Sequence, residues 1–279
     1  VIIPWTMYTT YGNTDIIRQS YDGMKKWVDR YNTMGGDSHI LPSSCSAYGD
    51  WLSINADTPK EVIGTGYFAY CANLLSKMAE AIGETEDATY YHNLFLEVRD
   101  AFNKEFVDAE GHVKGQTQTS YLVALKFDLL PTEEARQKAA DYLVADIKAK
   151  DWHLSTGFIG VAYLCPMLTE MGYSDVAYRL LLQDTYPSWL YSVKAGATTI
   201  WERWNSYNSE TGQFGDVGMN SFNHYSLGSI GEWFYNYVGG IKYDETNPGY
   251  KNVTINPYQG GDLEFANTSY ETPYGTIIS

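Results

Sequence analysis

In Thr198-Thr199-Ile200-Trp201-Glu202-Arg203-Trp204-Asn205 a carboxylate and a guanidinium stand between two indoles. Apolar walls disfavour the charged form of a carboxyl and raise its pKa, whereas a cation beside it pulls the pKa back down. A Glu202 tuned in this way suits proton transfer near neutral pH. The same residues also describe a structural Glu202–Arg203 pair beneath a tryptophan lid, and the sequence leaves both readings open.

Other groups could join it. Asp50 lies in Tyr48-Gly49-Asp50-Trp51, where a glycine permits close backbone approach and an indole follows; a solvent-facing turn is the alternative. Asp216, in Gly215-Asp216-Val217-Gly218, reads as an Asx-type turn residue. His224, in Asn223-His224-Tyr225, sits at the mouth of an expected helix, either as a satisfied core histidine or within reach of a ligand. Tyr186 and Trp189 open the long connection that carries Glu202 and serve as stacking platforms or as anchors for it.

Phosphate-cradling glycine motifs and the Gly-x-Ser-x-Gly elbow are absent. The cysteines (Cys45, Cys71, Cys165) and the histidines (His39, His92, His112, His153, His224) are scattered without metal-ligand spacing, so no cofactor and no Cys- or His-bound metal is expected, and any metal would be oxygen-ligated and without a sequence signature. A formal charge of −15 argues against a polyanionic partner, because nucleic-acid binding relies on Lys and Arg. No run approaches the roughly 18–20 apolar residues of a membrane span. The outlier is aromatic content: 25 Tyr, 8 Trp and 10 Phe make up 15% of the chain, enough to build both a core and faces on which sugar rings stack. Carboxylates in aromatic company, without a cofactor signature, point to glycosidic bond chemistry.

These groups need a scaffold. Apolar residues at steps of three and four predict a helix over 14–31, from Ile17 through Tyr21, Met24 and Val28. A second is expected after Thr58-Pro59-Lys60-Glu61, read as a capping box, and ends at Gly83. A third, over 85–106, completes an antiparallel hairpin with it. Further helices are expected over 117–129, 132–149, 158–171, 174–184 and 221–239. The long connections 33–57, 107–116 and 185–220 gather at one end, as in a ring of helical hairpins with a site at its loop face. From Tyr250 the pattern turns to short strands, which places a boundary near 245.

Tyr48-Gly49-Asp50-Trp51, Ser155-Thr156-Gly157-Phe158-Ile159-Gly160, Thr185-Tyr186-Pro187-Ser188-Trp189-Leu190-Tyr191, the Gly196–Trp204 block and Met219-Asn220-Ser221-Phe222-Asn223-His224-Tyr225 together resemble bacterial α-L-rhamnosidases of the inverting glycoside hydrolase type. The resemblance covers nearly the whole chain in order. It implies a mainly α fold, a partial six-hairpin α/α barrel over 1–244, followed over 245–279 by the start of a β-sandwich. It also implies Glu202 as the general base that activates water, His224 in contact with the sugar, and Trp51 lining a rhamnose pocket. Proximity extends the sugar-binding expectation to Asp50 and Trp201. The implied partner is a rhamnose-containing glycoside or polysaccharide.

The glutamate expected as general acid has no counterpart in these residues. About nine helices are countable where a complete ring has twelve, and the chain opens Val1-Ile2-Ile3-Pro4-Trp5 without a natural start. The expectation is therefore a C-terminal portion of a larger enzyme, inactive by itself, with the acid upstream of Val1. Two alternatives stand beside it: an α/α-barrel hydrolase of another glycoside, and a non-catalytic carbohydrate-binding module. Oligomeric state and compartment, whether exported or cytoplasmic in a bacterium, are not legible.

Overall fold

A computed structural model describes all 279 residues. The chain begins with α1 (Ile2–Tyr11) and α2 (Asp15–Gly35), followed by α3 (Lys60–Ile82) and α4 (Thr85–Phe106). Next come α5 (Gln118–Lys126), α6 (Glu133–Ala149), α7 (Phe158–Glu170) and α8 (Ser174–Leu181). Helix α3 is buried around most of its circumference, as is α5, whereas α2, α4 and α6 are buried along one stripe. That difference sorts them into layers. Helices α3, α5 and α7 form an inner row in which each touches the next, and α4, α6 and α8 back them from outside. Gly66 permits close approach of α3 to α5, because a Cβ there would overlap the Val123 side chain.

The hairpin expected over 58–106 forms with its predicted ends, and Gly83 caps α3 at φ +87°. Its proposed capping box does not form. The Thr58 hydroxyl instead meets the Thr117 hydroxyl at 2.6 Å in the interior, and the box that does form joins Thr117 and Ser120 at the start of α5. Tertiary partners there outcompete the local cap.

The helix expected over 221–239 is also different. Residues 221–225 are irregular, and a 3₁₀ turn at Ser226–Ser229 leads into α10 (Ile230–Trp233) and a π turn at Phe234–Val238. The physical reason is competition for the backbone. The carbonyls of Ser221 and Phe222, which a helix would pair with amides four residues on, accept instead from the Glu202 amide and the Thr199 hydroxyl. Periodicity also passed over α1 and the short α9 (Trp189–Lys194), a single stretch of six residues capped by the Ser188 hydroxyl.

Strands are short and antiparallel: β1 (Tyr207–Asn208) with β2 (Gln213–Phe214) inside the long loop, β3 (Ile241–Tyr243) with β4 (Val253–Ile255), and β5 (Ser269–Thr272) with β6 (Gly275–Ile278). No helix is long and apolar enough to cross a membrane.

Candidate active site

Three carboxylates of the loop face differ in what their oxygens touch. Glu202 is held in place by main chain: its amide donates to the Ser221 carbonyl at 2.8 Å, and its Oε2 accepts from the Ser221 amide at 2.8 Å. Oε1 has no protein partner. Glu202 lines a cavity of about 150 Å³ with Leu52, Ser53, Ile54, Tyr186, Arg203, Trp204, Asn205 and Leu227.

Asp216 is fully engaged. Its Oδ1 accepts from the amides of Gly218 (2.7 Å) and Met219 (3.0 Å), and its Oδ2 meets Arg203 Nη2 at 3.2 Å. The Met219 and Gly218 amides, and then the Arg203 charge, hold its carboxyl below the usual range. The expected Asx turn is present. Arg203 also donates through Nε to the Met219 carbonyl at 2.8 Å, so its charge is spent on Asp216 and this turn. The structural Glu202–Arg203 pair allowed by the sequence does not occur, and Glu202 is left without a cationic partner.

Asp50 is buried, and four protein donors occupy both its oxygens: Thr119 Oγ1 at 2.5 Å and the Gly157 amide at 2.7 Å on Oδ2, and the amides of Ile159 (2.8 Å) and Gly160 (3.2 Å) on Oδ1. A carboxylate has about four lone-pair sites. None is left for a sugar hydroxyl, which corrects the expectation of direct contact. Burial pushes this carboxyl up while the four donors favour its charged form.

The aromatic groups separate the same way. Trp201 is buried edge-on to Phe222, with ring centroids 5.3 Å apart, and offers no open face, a second correction. Trp204 is buried edge-on to Trp189 (5.3 Å), whose indole N–H donates to the Leu227 carbonyl at 2.8 Å. These three rings anchor the loop. Trp51 is 40% exposed and stands edge-on to Tyr48, while Tyr186 is equally open on the cavity wall, so these two present usable faces. His224 is half-buried, stacked on Phe158 at 4.9 Å, and its Nδ1 accepts from the Ser226 amide at 3.3 Å. That bond puts the proton of a neutral ring on Nε2, a donor without a protein partner.

Sequence reasoning missed Ser221, whose main chain orients Glu202, and the cavity walls Ser53, Ile54 and Leu227. Only the place of Ser221 inside the Met219–Tyr225 block, and of Ser53 and Ile54 just after Trp51, hinted at a role; nothing marked Leu227. Away from this face, Asp108, Glu110 and His112 bring ligand atoms within 4.8 Å of one another on an exposed loop, but Asp108 already bonds the amide and Nδ1 of His112.

Comparison with known proteins agrees with the helical layers and the loop face. Residues 1–238 match the model of the bacterial alpha-L-rhamnosidase 6 hairpin glycosidase domain, and residues 240–279 that of the bacterial alpha-L-rhamnosidase C-terminal domain. An alpha-L-rhamnosidase of Streptomyces avermitilis is 43% identical over 277 residues, covering 99% of this chain and 26% of that protein. One from Formosa agariphila is 42% identical over 287 residues, covering 100% of this chain and 30% of that protein. Among solved structures, the Streptomyces avermitilis enzyme complexed with L-rhamnose superposes with a TM-score of 0.93 at 42% identity, covering 99% of this chain and 26% of the other. The Aspergillus terreus enzyme gives 0.91 at 33% identity, covering 99% and 32%. The chain thus spans between a quarter and a third of the length of these relatives. On the family match over its first 238 residues and the likeness of its fold, this chain belongs to the bacterial α-L-rhamnosidase six-hairpin glycosidase family.

Proposed function

We propose that these residues work within a longer polypeptide that hydrolyses terminal α-L-rhamnosyl residues with inversion, and that Glu202 is the general base. The observation that carries this reading is that Glu202, which lines a small cavity, keeps Oε1 free of protein partners while its other oxygen is fixed by the Ser221 amide. A base needs one lone pair for the proton of water and a carboxylate that does not swing away. Asp50 satisfies only the second condition, and Asp216, whose carboxyl two amides and Arg203 hold below the usual range, is a poorer base than an ordinary carboxylate.

In this reading water sits between Glu202 and the anomeric carbon, and inverting chemistry places the two carboxyl groups about 6.5–9.5 Å apart to make room for it. With Asp50 and Asp216 both engaged, the acid that protonates the leaving oxygen is proposed to come from another part of the full-length protein. Trp51 and Tyr186 offer the sugar their ring faces, and His224 Nε2 offers one hydroxyl a donor. Leu52, Ile54 and Leu227 give the cavity apolar walls that suit the methyl group of a 6-deoxy sugar. Residues 1–244 are proposed as part of the catalytic barrel and 245–279 as the start of a β-sandwich domain, supported by the β5–β6 pair, while the β3–β4 pair ties the two together across that boundary.

Turnover of a panel of 4-nitrophenyl glycosides by the full-length protein tests the substrate. The α-L-rhamnoside is expected to exceed every other sugar by at least about 100-fold in kcat/KM, the size of discrimination that an apolar pocket supplies for a methyl-sized difference. Faster turnover of another glycoside would favour a hydrolase of different specificity, and binding without turnover of any would favour a carbohydrate-binding module.

A further inference from the structure

The four-donor cradle around Asp50 joins two parts of the face that are distant in sequence. On one side is the loop that carries Trp51 and then Leu52, Ser53 and Ile54 of the cavity wall. On the other is the first turn of α7, whose leading residue, Phe158, stacks on His224. The Asp50 carboxylate accepts from the Gly157, Ile159 and Gly160 amides at the start of α7 and from Thr119 of α5. An anion at a helix N-terminus satisfies orphan amides and complements the helix dipole.

Main-chain bonds run parallel to it. The Phe158 amide donates to the Trp51 carbonyl at 2.9 Å, and the Ile54 amide to the Ser155 carbonyl at 3.0 Å. Two glycines make this closeness possible: a Cβ at Gly157 would collide with the Asp50 and Trp51 carbonyl oxygens, and one at Gly160 with the Thr119 hydroxyl. The loop so held also keeps Leu52 at φ +62° and Asn55 at φ +49°, conformations that persist only where the surroundings impose them.

We propose that Asp50 is a positioning residue that sets Trp51 and His224 at a fixed separation across the sugar pocket, acting through the loop on one side and through Phe158 on the other. Asp50 itself touches no substrate. The proposal rests on the reading above that Trp51 and His224 contact the sugar. An Asp50→Asn change keeps the shape but turns an NH₂ group toward two of the four donors, so the cradle must shift. A Thr119→Val change removes a single donor and leaves the carboxylate.

The test compares Asp50→Asn, Thr119→Val and Leu143→Ala, the last in the buried face of the outer helix α6, as a destabilised control. Nuclear magnetic resonance reads the Trp51 indole N–H and the His224 ring Cε1–H, and an L-rhamnose titration reads affinity. Both resonances are expected to move in Asp50→Asn and, less, in Thr119→Val, with L-rhamnose affinity falling at least about tenfold in Asp50→Asn. Leu143→Ala should move neither. Unmoved Trp51 and His224 signals in the folded Asp50 and Thr119 variants would overturn the proposal, as would equal shifts in the control. If Asp50→Asn fails to fold, Thr119→Val decides by the same signals. Should the unmodified protein not bind L-rhamnose, the sugar reading fails by itself, and the resonances still decide whether Asp50 positions the two rings.

Discussion

Replacing Glu202 by Gln in the full-length protein is expected to lower kcat for an aryl α-L-rhamnoside by about 10³-fold, within the 10²–10⁴ range of general acid–base catalysis, and to leave KM within about threefold. The substitution isolates the chemistry. A glutamine carbonyl oxygen still accepts from the Ser221 amide, and the backbone bond from residue 202 to the Ser221 carbonyl is untouched, so the loop keeps its geometry. What disappears is the lone pair of Oε1 that would take the proton of water. An effect made only in the transition state lowers kcat and kcat/KM together, whereas lost sugar contact raises KM. A raised KM with kcat intact would make Glu202 a binding group and remove it from the base position.

Trp233→Ala is expected to destabilise the fold by about 3–5 kcal/mol, the usual cost of emptying a large aromatic site in a core. Trp233 is wholly buried on α10, its indole N–H donates to Thr169 Oγ1 at 2.8 Å, and its ring stands edge-on to Tyr178 at 4.9 Å. It thus ties α10 to both α7 and α8. Thr169 already donates to the Cys165 carbonyl, so the main cost is lost packing and the cavity. Urea denaturation followed by circular dichroism measures it, with Trp233→Phe losing distinctly less because most of the volume stays. A loss below about 1 kcal/mol would mean that α10 is not packed against the inner row.

Helical periodicity made the layers legible because α2, α4 and their neighbours obey a local rule, with one buried stripe per helix. The resemblance singled out Glu202 as the expected base. What the sequence concealed is non-local. Arg203 follows Glu202, yet in a non-helical backbone successive side chains diverge, and Arg203 reaches Asp216 thirteen positions away while Glu202 meets Ser221. Asp50 has the same neighbours as a pocket residue, a glycine before and a tryptophan after, but its fate is set by four donors that lie 69 to 110 positions further on. Burial of Trp201 against Phe222 was equally invisible, because adjacency to Glu202 does not say which way a ring points. The helix expected over 221–239 failed for a related reason: the Ser221 and Phe222 carbonyls, claimed by the Glu202 amide and the Thr199 hydroxyl, cannot also serve a helix.

The central claim is that Glu202 delivers water to the face of the sugar opposite the leaving group. Proton magnetic resonance of the first sugar released from an aryl α-L-rhamnoside by the full-length protein, recorded before mutarotation, tests it most directly. The account predicts that β-L-rhamnose appears first and that the α anomer grows in only later. Release of α-L-rhamnose as the first product would mean retention through a covalent intermediate and would contradict it.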